Sequence, residues 1–110
     1  MRSKKIVIIK EELINDANSM LVDLMAGKGY KLVNYKNEEV WKKGKGILTA
    51  PRFMKFTFLE ANKLQMEAWI KTAILPGIYV GESGLESKYG FAIKKELEFL
   101  VKRVYEILSI

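Results

Sequence analysis

A chain of 110 residues, 49% of them hydrophobic, has room for one core rather than two and is too apolar for disorder. It contains no cysteine and no histidine, which excludes disulfides, thiolate catalysis, zinc–thiolate sites, Ser–His triads and the commonest general base near neutral pH. A net charge of +6, from 19 Lys and Arg against 13 Asp and Glu, favours an acidic partner: nucleic acid, an anionic surface or an acidic protein.

No apolar run approaches the roughly 18 residues of a membrane span, so no membrane partner is expected. Ile6–Ile9 is too short for a signal-peptide core, and a cytoplasmic location is expected. The same β-branched run predicts a buried strand. From Glu11 to Ala26 the spacing is helical, with Leu13, Ala17, Met20, Leu21, Leu24 and Met25 on one stripe. Glu11 and Glu12 suit the helix start, and Gly27 and Gly29 supply stop signals. Tyr30–Tyr35 and Glu39–Lys43 read as a hairpin around Lys36-Asn37-Glu38. Gly44-Lys45-Gly46 breaks the second strand, and alternation returns over Arg52–Leu59 and Lys63–Ala73. Leu75-Pro76-Gly77-Ile78 fits a type II turn, and Gly81 to Gly90 reads as a loop. Phe91 to Ile110 is helical, with Ile93, Leu97, Leu100, Val101, Val104 and Leu108 as its apolar stripe.

One hairpin can be placed in register. With Glu60-Ala61-Asn62 as its loop and Asn62 in the left-handed position, Phe58 faces Leu64, Phe56 faces Met66 and Met54 faces Ala68. The opposite face then pairs Thr57 with Gln65, Lys55 with Glu67 and Phe53 with Trp69. A slip of one residue would mix the faces. The expected fold is α+β, a single domain over residues 1–110. An antiparallel sheet of about five strands carries an N-terminal and a long C-terminal helix on one face, in the strand–helix–meander–helix order of helix-grip folds. The helix-covered face carries Met54, Phe56, Phe58, Leu64, Met66 and Ile70. Phe56→Ala is therefore expected to cost more stability than Phe53→Ala.

The segments GYKLVNYKNEEVWKKGKGILTAPRFMKF, MEAWIKTAILPGIYVGE and YGFAIKKELEFLV, between Gly29 and the C-terminus, resemble a domain of uncharacterised proteins from low-GC Gram-positive bacteria. In that group the domain often follows an N-terminal zinc ribbon, which this cysteine-free chain lacks. The resemblance implies no activity and no site residues.

No catalytic constellation stands out, and no enzyme activity, metal or cofactor is expected. Glu67 opposite Lys55 reads as a surface ion pair rather than a catalytic couple. Ser83 and Ser87 are not selected as nucleophiles by any neighbouring motif. Gly81-Glu82-Ser83-Gly84 has the GxxG form of a nucleic-acid loop, but its central acid would repel phosphate. The candidate binding residues are Trp41, Lys43, Phe53, Lys55, Trp69 and Lys71, an aromatic and basic set on the sheet face away from the helices. Such a face packs on a second copy or another protein, stacks single-stranded bases, or lies under the Gly44–Pro51 and Gly81–Gly90 loops. The first is the expected function: a non-enzymatic interaction domain that self-associates, as a homodimer, or docks a partner protein. The alternative is an anionic or apolar ligand. Nucleic acid would bind weakly and non-specifically on the outer face, and a small molecule between sheet and C-terminal helix, against Met20, Met25, Met54 and Met66.

Overall fold

The computed structural model describes residues 2–44, 50–60, 62–75, 78–85 and 91–110. Strand β1 (Ser3–Ile8) leads through a 3-10 turn at Glu11–Leu13 into helix α1 (Ala17–Gly27). Strands β2 (Lys31–Tyr35), β3 (Glu38–Lys43), β4 (Arg52–Phe58), β5 (Lys63–Leu75) and β6 (Ile78–Ser83) follow, and helix α2 (Phe91–Leu108) ends the chain. The fold is α+β, as its patterning predicts. The first helix starts later than expected, because Glu11–Asp16 is spent on the 3-10 turn and a bend.

Helix α1 stops where its glycines suggest. Gly29 takes a φ of +86°, its N–H bonds the Ala26 carbonyl, and the Tyr30 N–H bonds the Met25 carbonyl. These two bonds make a Schellman cap, which satisfies carbonyls the helix end would otherwise leave bare. Tyr30 and Met25 are both buried, so the cap also turns the chain into the core.

All strand pairs are antiparallel, in the order β1-β5-β4-β3-β2, with β6 also on β5. Ile70 pairs with both Arg52 and Ser83, so β6 follows β1 along the edge of β5 opposite β4. The β4–β5 register is the predicted one, Phe58 opposite Leu64 through Phe53 opposite Trp69. The left-handed position expected at Asn62 depends on Ala61, and the type II turn expected at Leu75–Ile78 depends on Pro76 and Gly77; Ala61, Pro76 and Gly77 lie outside the described residues. Part of the expected Gly81–Gly90 loop is strand: Gly81–Ser83 belong to β6, with Gly81 at φ +69°, and residues 86–90 lie outside the described set.

Both helices pack on one sheet face. Val7, Leu21, Met25, Met54, Leu64, Met66, Ile70, Leu97, Leu100, Val104 and Leu108 belong to one buried cluster. The first strand is buried on one side only: Val7 is fully buried and Ile6 is 45% exposed. The chain end protects that strand. Lys10 N–H bonds the Leu108 carbonyl, Ile110 N–H bonds the Ile8 carbonyl, and Tyr105 donates its hydroxyl to the Ile6 carbonyl. An edge that would template association is thereby occupied.

Candidate functional site

The β2–β3 hairpin decides which side chains share the outer face. Its turn has two residues, Lys36 and Asn37, with φ of 50° and 65°. Positive φ at both centres is what a two-residue type I′ turn requires, and its twist suits the strands. Glu38 therefore belongs to β3 rather than to the loop. Trp41 lies opposite Met54, and Lys43 opposite Arg52. Both sit on the helix-covered face, which corrects the expectation that they join Phe53, Lys55, Trp69 and Lys71. The positions that do join them on β3 are Glu38, Val40 and Lys42.

The outer aromatics are not a solvent-facing platform. Phe53 is 1% and Trp69 0% exposed, and with Val40 they form a second buried cluster edged by Val33 and Tyr35. The Phe53 and Trp69 rings stack at 5.2 Å and 8°, and Tyr35 sits 4.7 Å from Phe53 and 6.0 Å from Trp69. Four strand spacings separate β2 from β6, about 19 Å in a flat sheet. Yet the Tyr35 hydroxyl donates to Glu82 on β6 across 3.1 Å. The sheet must therefore coil toward its outer face and close over the aromatics. Among the described residues the cover comes from coiling of the strands and from side chains, including Glu82 from the span expected as the Gly81–Gly90 loop.

Arg2 is the lid. Its guanidinium carbon lies 3.7 Å from the Trp69 ring centroid. Its nitrogens donate twice to Glu38, at 2.7 and 2.9 Å, twice to Glu82, at 2.9 and 3.1 Å, and once to Glu67, at 3.3 Å. A planar fork with five donors suits this task and a lysine does not. Lys55 adds a 2.8 Å bond to Glu38. The predicted Lys55–Glu67 register is correct, but the ion pairs are Lys55–Glu38 and Arg2–Glu67.

The carboxylates respond as their partners dictate. Hydrogen bonds from Arg2 and then Lys55 hold the Glu38 carboxyl down at about 2. Burial works to raise Glu82, but Arg2 and the Tyr35 hydroxyl outweigh it and hold that carboxyl below its ordinary value. Because the folded value of Glu38 lies below the unfolded one, its contribution is present above about pH 4.5 and is lost as pH falls toward 2. A contribution of about 2 kcal/mol is expected after discounting for the carboxylate's partial exposure. Wild type should be more stable than Glu38→Gln at pH 7, and urea melts at pH 3 should show the gap shrinking. An equal gap at both pH values would mean that Glu38 does not carry the acid sensitivity.

On the helix side, Trp41 lines a cavity of about 220 Å³ between α1 and the sheet, with Leu21, Val22, Leu32 and Phe56. Asn18 and Glu39 line it too, adding the polar groups. Leu32 is 52% and Val22 39% exposed, and Phe58, two residues beyond Phe56 on the same face, is 42% exposed. The helices therefore leave the β2–β4 end of this face open. Lys43 turns under α2, 3.3 Å from Glu96. Arg52 Nε also lies 2.9 Å from Glu96, although its N–H is not aimed at the oxygen. Beside them the Tyr30 phenol is pushed above its ordinary value, first by burial and then by the Glu96 charge.

Of the six candidate residues, Phe53, Lys55, Trp69 and Lys71 share one face, and Trp41 and Lys43 occupy the other. Arg2, Glu38 and Glu82 were missed: no local pattern links a residue at the chain start with positions 36 and 80 residues away. Among the described residues no cluster of three or more acids could hold a metal, and no helix is long and apolar enough to cross a membrane. No family model, no curated protein and no solved structure matches the chain.

Proposed function

We propose that this protein is a non-enzymatic interaction domain that takes up an acidic, extended segment of a partner protein as an added strand on β2. One observation carries this reading. Among the described residues no strand pairs with the outer edge of β2, and that edge adjoins both the apolar opening at Leu32 and Trp41 and the lysines Lys31 and Lys42, neither of which makes an ion pair there. An unpaired strand edge supplies backbone hydrogen bonds to an extended chain, and pockets for alternate side chains supply selectivity. An apolar residue of the segment would enter beside Leu32 and Trp41. Acidic residues would meet Lys31, Lys36 and Lys42.

The same charges disfavour self-association at this edge. Two-fold pairing of β2 would gather Lys31 and Lys36 of both copies, in a chain already at +6. The dimer expected through Phe53 and Trp69 loses its motive as well, since both are buried within one chain. Stacking of single-stranded bases on these rings loses it for the same reason.

The test is a titration with an acidic peptide of alternating Val and Asp, followed by amide NMR. Shifts should concentrate on β2 and the Trp41 indole, and Leu32→Glu should weaken binding by about tenfold, through lost apolar contact and charge repulsion. Absence of β2 shifts at millimolar peptide, or affinity unaltered in Leu32→Glu, rejects the reading. Sedimentation that shows a stable dimer of the wild type favours a second copy instead.

A further inference from the structure

Lys31 and Lys42 stand directly opposite each other across β2 and β3. Like charges at such a position destabilise a strand pair, so a sequence shaped only for stability would avoid them. Among the described residues neither makes an ion pair. They line a cavity of about 410 Å³ at the end of the sheet, together with Gly29, Val33, Lys43 and Gly44. The two glycines have φ of +86° and +98°, which side chains rarely adopt. A Cβ on Gly44 would come 2.8 Å from the Ala50 carbonyl oxygen. Both positions are thus held to glycine for backbone reasons, and no side chain from either fills the cavity. Lys43 has Glu96 at 3.3 Å, but that carboxylate also serves Arg52 at 2.9 Å. Among the described residues Glu96 alone is paired with this group of Lys31, Lys42, Lys43 and Arg52, which leaves the end of the sheet positive.

We infer that this cavity is an anion site for a phosphate group, held by the Lys31 and Lys42 ammonium groups with Lys43 behind them. A dianion placed between the opposed lysines converts their repulsion into two attractions, the charge-assisted kind that is strongest. The site stands on the lysine pair and the cavity, so it holds whether or not a segment docks along β2. Its phosphate could come from a free phosphate compound or from a phosphorylated side chain; the chemistry at the lysines is the same.

Thermal melts and NMR titration with inorganic phosphate test it at constant ionic strength set by chloride. In chloride alone, Lys31→Gln and Lys42→Gln should melt at or above the wild-type temperature, because each removes repulsion. Phosphate should raise the wild-type melting temperature and shift the Gly29, Lys31, Lys42 and Gly44 amides. Each variant should bind phosphate about tenfold more weakly, the effect of losing one charged contact. Lys63→Gln, on the far end of β5, should bind like wild type. A second arm compares a phosphoserine peptide with phosphate: tighter peptide binding identifies a phosphorylated partner as the source, and equal binding a free phosphate compound. Absence of phosphate-induced shifts at these residues overturns the site. So does an equal loss in Lys63→Gln, which would show general charge attraction only.

Discussion

Arg2→Ala is expected to destabilise the protein by about 3–5 kcal/mol, the cost of removing one partner from a largely buried charge network. The side chain is only 14% exposed, and Glu38, Glu67 and Glu82 all depend on it. Its removal leaves three carboxylates close together and takes the lid from Trp69. Arg2→Lys should recover only part of the loss, since an ammonium cannot bond bidentately to two carboxylates and cover a ring at once. In urea melts, Arg2→Ala combined with Glu82→Gln should lose less than the sum of the two single changes, because both changes break the same Arg2–Glu82 contact and the second also relieves repulsion among the three carboxylates. Additive losses, or an Arg2→Ala protein as stable as wild type, would show that the guanidinium merely decorates the surface.

Phe53→Ala is expected to cost about 3–5 kcal/mol, as for a fully buried aromatic, while Phe56→Ala should cost less, about 1–3 kcal/mol. This reverses the order expected from the sequence. Phe56 is only partly buried, since it borders the open groove beside α1, whereas Phe53 is enclosed by Val40, Trp69 and Tyr35. Trp69→Phe should be milder than Phe53→Ala. It keeps the stacked ring and removes an indole N–H that is buried without a hydrogen-bond partner among the described residues. Denaturant melts of the three variants decide the order. A larger loss at Phe56 than at Phe53 would mean that the outer aromatic cluster is not a second core.

The sequence by itself determined the α+β class, both apolar helix stripes, the stop at Gly29 and the β4–β5 register. Each of these is a local matter. Helical stripes repeat every 3.6 residues, and a short hairpin loop leaves few registers that keep apolar residues on one face. Only the tertiary structure decided the face of Trp41 and Lys43. The connection from Gly44 to Pro51 is long, so no tight turn fixes the parity of β3 against β4, and the alternation Trp41–Lys43 suits either face. Tertiary structure alone also buried Phe53 and Trp69. Alternation marks which residues share a face, but not whether that face is covered. Here the cover comes from coiling that brings Tyr35 to Glu82, and from Arg2 reaching three acids distant in sequence. The Lys31–Lys42 opposition likewise needed the two-residue turn at Lys36-Asn37, because one more loop residue would have placed Lys31 opposite Lys43 instead.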